Sequence, residues 1–123
     1  MQLLSVVVFQ SDQRIAQALA ANLANQFRSV HVAPSTEELR ATIAKHRASV
    51  AILDMELSSL SEVTRLHQEF PGVSIVCTHR LADEEMWAAA LSAGAADICP
   101  SSDMPGILQS ALRNATLSHS AAA

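Results

Sequence analysis

The chain has 123 residues, half of them hydrophobic, and a formal net charge of −4. This length and composition suit one folded domain, and an acidic chain without clustered Lys and Arg has no dedicated surface for nucleic acid. No apolar run is long enough to span a membrane and the N-terminus lacks the features of a signal peptide, so we expect a cytoplasmic protein without membrane contacts.

The spacing of the apolar residues predicts five strands that alternate with five helices. Short runs rich in Val, Ile and Leu indicate buried strands, and apolar residues four positions apart indicate helices with one buried face. In chain order, the predicted elements are strand 3–9, helix 12–27, strand 29–33, helix 35–46, strand 49–54, helix 58–70, strand 73–78, helix 82–94, strand 96–99 and helix 103–117. This alternation is typical of a parallel sheet with helices on both faces, joined by right-handed crossovers.

Local signals mark the ends of several helices. Asp12, Ser35 and Asp103 stand where an N-cap side chain is needed, and Gly94 stands where a helix should stop. We expect residues 1–117 to form one domain. Residues 118–123, which are small and polar, are expected to be a flexible tail or the start of a linker.

The sequence predicts no metal cluster and no disulfide. Cys77 and Cys99 lie in apolar strand segments, with the spacing of neither a zinc site nor a disulfide framework, so buried free thiols are expected. The other candidate ligands are histidines that are scattered along the sequence and for which surface positions are expected: His31, His46, His67 and His119.

In a doubly wound sheet, ligands bind beyond the carboxyl ends of the strands. The candidate site residues are therefore Gln10, Ser11 and Asp12 after the first strand, Asp54 and Glu56 after the third, Thr78, His79 and Arg80 after the fourth, and Ser101 and Ser102 after the fifth. With only three glycines in the chain, no strand-to-helix loop resembles a glycine-rich phosphate loop. No nucleophile–base pair is visible either, so we predict no enzyme activity and no catalytic residues.

Three segments carry a resemblance to a known family. They are "AILDMEL" with its Asp at the strand end, "IVCT" with its terminal Thr, and "ALSAGAADIC" before the fifth strand. In this order and spacing, the chain resembles the receiver domains of two-component response regulators, of which the chemotaxis regulator is the single-domain example. The resemblance covers residues 3–114 and implies a flavodoxin-like, three-layer fold with strand order 2-1-3-4-5.

The resemblance also implies a chemistry for the strand ends. Typical family members accept a phosphoryl group on the Asp that matches Asp54, with the help of a Mg²⁺ ion held by that Asp and an acidic pair. A hydroxyl matching Thr78 and a Lys at the end of the fifth strand then bind the phosphoryl oxygens.

This sequence departs from the family at most of these positions. The acidic pair aligns with Gln10 and Ser11, the Lys-Pro pair with Ser101 and Ser102, the switch aromatic with Ile98, and the small residue after the Thr with His79. Because Mg²⁺ normally needs one or two carboxylates, we expect its binding to be weak or absent.

Two interpretations of Asp54 remain open at this stage. It is either a retained phosphoacceptor or an inherited carboxylate that is merely hydrogen-bonded or paired with Arg80. A Glu56–Arg80 ion pair across the mouth of the pocket is also expected. Asp12 lies next to Ser11 but is expected to cap a helix.

Trp87 is the only Trp of the chain. It falls at the edge of the buried stripe of its helix, towards Ile98 and the last helix, so it is either an anchor for a partner or a half-covered surface residue. We favour an interaction face that contains Trp87 and Ile98 and binds a protein partner or a second copy.

The leading functional hypothesis is an atypical receiver domain that acts through protein–protein contacts without phosphorylation. One alternative is a working phosphorelay receiver, phosphorylated on Asp54 and served by a histidine kinase. Another is the N-terminal regulatory domain of a longer protein, either a DNA-binding regulator or a pilus-assembly ATPase.

Overall fold

The computed structural model describes residues 4–122 of the chain, with side chains described as far as residue 116. The strands are β1 (Ser5–Phe9), β2 (Ser29–Val32), β3 (Val50–Asp54), β4 (Ser74–His79) and β5 (Asp97–Pro100), and the helices are α1 (Gln13–Leu23), α2 (Thr36–His46), α3 (Leu60–Glu69), α4 (Glu84–Ala93) and α5 (Met104–Ala122). All strand pairs are parallel and the order across the sheet is β2-β1-β3-β4-β5, which confirms the predicted architecture. None of the described helices is long and apolar enough to cross a membrane.

The sheet separates two apolar cores, because consecutive residues of a strand face opposite sides. In β1, Val7 and Phe9 join the core covered by α2, α3 and α4, whereas Val6 and Val8 join the core covered by α1 and α5. All five residues of β3 are buried. Burial on both faces explains why the strands read as continuous apolar runs instead of alternating ones.

Side-chain caps fix the first turn of every helix. Ser59 and Asp83 cap α3 and α4, and the predicted caps Asp12, Ser35 and Asp103 are confirmed for α1, α2 and α5. Since each helix follows a strand of a parallel sheet, all five capped N-termini lie along the carboxyl edge of the sheet. Asp12 thus caps α1, and its neighbour Ser11 is the residue that contacts Asp54 at the end of β3.

The last helix is longer than the sequence predicts. α5 continues to Ala122, five residues beyond the predicted end of the helix at residue 117, into the segment expected to be a flexible tail or the start of a linker. The segment is rich in alanine, the residue with the highest helix propensity, and that preference outweighs its small polar residues. Ala123 lies outside the described residues.

Two histidines that looked scattered in the sequence meet in the fold. The rings of His31 in β2 and His46 in α2 stack, with centroids 3.5 Å apart and planes 12° apart. Burial, and then the neighbouring His46 and Lys45, lower the pKa of His31. No cluster of three or more His, Cys, Asp or Glu that could hold an ion occurs in the described part of the chain.

The C-terminal end of α4 is fixed against α3. Gly94, predicted to stop this helix, does so with a φ of 118°, in the left-handed region. A Cβ added to Gly94 would lie 2.9 Å from Cβ of His67. Thr64 donates its hydroxyl to the carbonyl oxygen of Ala93 at 2.9 Å. A side chain at Gly94 would therefore strain the backbone and push the two helices apart.

We expect Gly94→Ala to lower the free energy of unfolding by about 1–3 kcal/mol, because of this strain and the contact with His67. Gly72→Ala is the matched control, since nothing lies within 4 Å of a Cβ added at Gly72 and its φ is not positive. Chemical denaturation of both variants measures the difference. Equal stability of the two variants would contradict this description of the α3–α4 contact.

The two cysteines are buried free thiols, as predicted. Cys77 belongs to the core covered by α2, α3 and α4, and Cys99 to the core on the other side of the sheet, so they cannot pair within one chain. Burial is the main cause that raises the pKa of Cys77 to about 12 and that of Cys99 to about 11. The negative charge of Asp97 raises the pKa of both thiols further.

We therefore expect the folded protein to resist an aromatic disulfide reagent at pH 8, because neither thiol is accessible or ionised. In guanidinium chloride, both thiols should react at the rate of a small-molecule thiol. The absorbance of the released thiolate measures this. Fast reaction of one thiol in the native protein would show that Cys77 or Cys99 is not buried as described.

Candidate functional site

The strand register brings the candidate residues of β1, β3 and β4 together at the carboxyl edge. Asp54 pairs with Thr78 across β3 and β4, and Phe9 pairs with Leu53 across β1 and β3. Gln10, which follows Phe9, therefore begins the loop beside Asp54. Asp54 and Thr78 are both buried, so a carboxylate and a hydroxyl form the base of this pocket.

The Asp54 carboxylate is held by three neutral donors. Its Oδ2 accepts hydrogen bonds from the backbone N–H of Ser11 at 2.8 Å and from the hydroxyl of Ser11 at 2.6 Å. Its Oδ1 accepts a hydrogen bond from the backbone N–H of Glu56 at 2.9 Å. A buried charge is costly without partners, and here these donors stabilise it. The carboxylate is therefore hydrogen-bonded within the chain, and both interpretations of Asp54 stay predictions.

Arg80 pairs with Glu56 and not with Asp54. Its Nε lies 2.7 Å from Oε1 of Glu56, which is the ion pair expected across the mouth of the pocket. The side chain of Arg80 is 74% exposed, so this pair contributes little to stability. Among residues 4–116, no Arg, Lys or His lies within ion-pair distance of Asp54.

Gln10 holds the hydroxyl at the base of the pocket. Its amide Nε2 donates a hydrogen bond to Oγ1 of Thr78 at 2.8 Å. Its Oε1 is buried and has no hydrogen-bond partner in the part of the chain that the structure describes. Gln10 and Ser11 thus bind Thr78 and Asp54 through neutral groups.

The end of β5 brings no positive charge to the pocket. Ser101 is buried and its N–H donates to the carbonyl oxygen of His79 at 3.1 Å, whereas Ser102 is exposed. The ring of His79 accepts a hydrogen bond at Nδ1 from the N–H of Leu81 at 2.9 Å. Lys45, the only lysine of the sequence, lies in the last turn of α2, at the opposite edge of the sheet.

The residues present do not fit a Mg²⁺ ion. Mg²⁺ takes oxygen ligands in octahedral geometry and leans on carboxylates. Only Asp54 offers a carboxylate at the base of this pocket, and both of its oxygens already accept hydrogen bonds. Gln10 turns its NH₂ toward Thr78, and its Oε1, which has no partner among the described residues, adds only one neutral oxygen.

Two features of the site were missed by sequence reasoning. The resemblance predicted that Gln10 and Ser11 take the positions of an acidic pair, but not that they donate hydrogen bonds to Thr78 and Asp54. The sequence did contain a signal for these hydrogen bonds, since Gln10 and Ser11 both carry side-chain donors and follow a strand that was predicted to lie beside Asp54 and Thr78. The second missed feature is a groove next to His79, between α3 and α4, which no local pattern in the sequence indicates.

Comparison with known proteins finds similar folds among solved structures. No family model and no curated protein match the chain. Among solved structures, a CheY-like response regulator receiver domain protein from Methanospirillum hungatei superposes with a TM-score of 0.83 at 18% identity, over 98% of this chain and 99% of that one. The N-terminal signal receiver domain of a two-component response regulator from Bacteroides fragilis gives 0.83 at 19% identity, over 93% and 98%.

A longer protein contains the same scaffold. NtrX from Brucella abortus, solved in complex with ADP, superposes with a TM-score of 0.80 at 17% identity, over 98% of this chain and 29% of that one. This chain has the receiver fold. At these identities the likeness concerns the fold, and the chemistry of the pocket has to be argued from its own residues.

In this receiver fold, we expect Asp54→Asn to lower the free energy of unfolding by about 1–3 kcal/mol, because the new NH₂ would face the donors of Ser11 or Glu56. Where carboxylates crowd together, the same change relieves repulsion instead. Asp12→Asn is the matched control, since Asn caps a helix as well as Asp does. Urea denaturation at pH 7 measures both, and a more stable Asp54 variant would contradict the hydrogen-bond assignment.

Proposed function

We propose that this chain is an atypical receiver domain, a cytoplasmic signalling module that acts through protein–protein contacts without phosphorylation on Asp54. One observation carries the proposal: the carboxylate at the phosphoacceptor position is already bound by three donors of the protein itself. The receiver fold supports a role in signalling, and the residues in the pocket argue against phosphoryl transfer to Asp54.

Phosphoryl transfer to Asp54 needs an available carboxylate oxygen and positive charge around the transferred group. Both oxygens accept hydrogen bonds, and Oδ2, bound twice by Ser11, is the more occupied of the two. A bound phosphoryl group would carry about −1.5 to −2 charges, and Gln10, Ser11 and Thr78 around it are all neutral. Arg80, the cation at the mouth, is engaged with Glu56.

The alternative is a phosphorelay receiver that accepts phosphate on Asp54 from a histidine kinase. The observation in its favour is the Asp54–Thr78 pairing across β3 and β4, which puts an acceptor carboxylate and a hydroxyl side by side. It would require Ser11 to release Oδ2 and a cation to enter from outside the described pocket.

A regulatory domain within a longer protein is compatible with both mechanisms. The region of NtrX that this chain matches is 29% of that protein's length, so the same scaffold occurs there as one part of a larger chain. A DNA-binding regulator or a pilus-assembly ATPase remains our proposal for the kind of protein that would carry it. The acidic charge of the chain argues against a nucleic-acid contact by this domain itself.

The contact surface that we propose lies around Trp87 on α4. Trp87 is 50% exposed, a large apolar area for a monomer to display. Ile98 of β5, predicted to share this face, is only 7% exposed and belongs to the core, so it supports the face from beneath and cannot touch a partner. The small residues Ala88 and Ser92 beside Trp87 allow another helix to approach closely, and a second copy of α4 is the partner we propose.

We expect acetyl phosphate with Mg²⁺ to leave the mass of the protein unchanged, because the pocket lacks both a metal site and a cation for the phosphoryl group. Intact-protein mass spectrometry measures this. A receiver domain that retains the acidic pair, treated in parallel, shows that the donor is active. A stoichiometric phosphoryl adduct that disappears in Asp54→Asn would favour the phosphorelay alternative.

We expect Trp87→Ala to weaken self-association by about 1–2 kcal/mol, roughly 5- to 30-fold in Kd, if Trp87 is the anchor. Sedimentation of wild type, Trp87→Ala and Asp54→Asn measures this. Leu81→Ala is the matched control, because Leu81 is an exposed apolar residue in a loop off α4. Loss of association only in the Asp54 variant would move the function back to the pocket.

A further inference from the structure

A groove opens between α3 and α4 at the carboxyl edge of the sheet, and its lining includes Met55 and His79, the residues that follow Asp54 and Thr78. Its volume is about 490 Å³, and its apolar walls are made by Met55, Leu60, Met86 and Ala89. Trp87 follows Met86 and stands about 100° further around the helix, and it is not among the residues that line the groove. The groove is thus a second surface of the molecule, for which neither the phosphoacceptor chemistry nor the Trp87 contact has a use.

The packing of α3 against α4 keeps this groove open. The two helices are fixed together at the end of α4, where Thr64 bonds the carbonyl of Ala93 and His67 packs on Gly94. Nearer their first turns, the small side chain of Ala89 leaves space that Leu60 and Met86 only partly fill. Leu60 is 40% exposed, so this wall presents apolar surface to solvent.

The charge around the groove is negative. Asp83 and Glu85 line it, and Glu84 is exposed in the same first turn of α4. Asp83 accepts a hydrogen bond from the N–H of Met86, which fixes this turn. No Lys or Arg is among the lining residues, and the nearby Arg80 is engaged with Glu56. Apolar walls under an acidic rim are complementary to a basic, amphipathic segment.

We propose that this groove docks a basic amphipathic helix of a partner protein, with its apolar side chains between α3 and α4 and its Lys or Arg against the first turn of α4. Helix-in-groove recognition uses apolar residues spaced three and four apart, and a rim of opposite charge selects and orients the helix. The proposal goes beyond the proposed function, because it requires neither an inert Asp54 nor the Trp87 face.

The test uses a fluorescein-labelled synthetic helix of Leu and Lys, followed by anisotropy with the full chain. We expect saturable binding that weakens as salt is raised, and weaker or no binding of the counterpart in which every Lys is Glu. The double variant Glu84→Gln, Glu85→Gln should bind at least about fivefold more weakly. Ala89→Leu, which fills the groove, should weaken binding at least about tenfold.

Matched controls distinguish binding in the groove from a general attraction of the basic helix to the acidic protein. Glu37→Gln with Glu38→Gln makes the same charge change in the first turn of α2, away from the groove, and should change Kd by less than about twofold. Leu60→Ser tests the other wall, should Ala89→Leu fail to fold. No saturable binding, equal weakening by the α2 and α4 pairs, or loss in Trp87→Ala alone would overturn the proposal. Phosphorylation of Asp54 would contradict the proposed function but not the groove proposal.

Discussion

A carboxylate buried at the end of a central strand must be satisfied by hydrogen bonds, and the carboxyl edge of this sheet is organised around that requirement. Asp54 is 1% exposed, and its donors come from two different loops: Ser11 after β1 and Glu56 after β3. The charge therefore ties these loops together. Asp12, next to Ser11, then starts α1, so the same short segment satisfies a buried charge and caps a helix.

The donors around Asp54 and Thr78 are neutral groups of the protein itself, so these hydrogen bonds need no bound ion or phosphoryl group. Ser11 and Gln10 donate hydrogen bonds to Asp54 and Thr78 without any ligand. This is why we propose a function that needs no phosphoryl group. α4 carries the two surfaces proposed for it, the exposed Trp87 and the groove lined by Met86.

Much of the fold could be predicted because its signals are local. Apolar runs, apolar residues four apart and caps such as Asp103 depend on neighbours in the sequence, and all five strands and helices followed from them. The hydrogen bonds of Gln10 and Ser11, the stack of His31 and His46, and the α3–α4 groove depend on which elements meet in space. The resemblance predicted neutral residues in place of acids at Gln10 and Ser11, and only the geometry shows which groups these two side chains contact.

The central claim is that neutral hydrogen bonds have taken the place of a metal site on an unchanged scaffold. The most direct measurement is a Mg²⁺ titration of ¹⁵N-labelled wild type and of the double variant Gln10→Asp, Ser11→Asp, followed by amide shifts. We predict saturable shifts near Asp54 in the variant alone, with no saturation of wild type at about millimolar Mg²⁺. Saturable binding to wild type below about a millimolar, abolished by Asp54→Asn, would contradict the account.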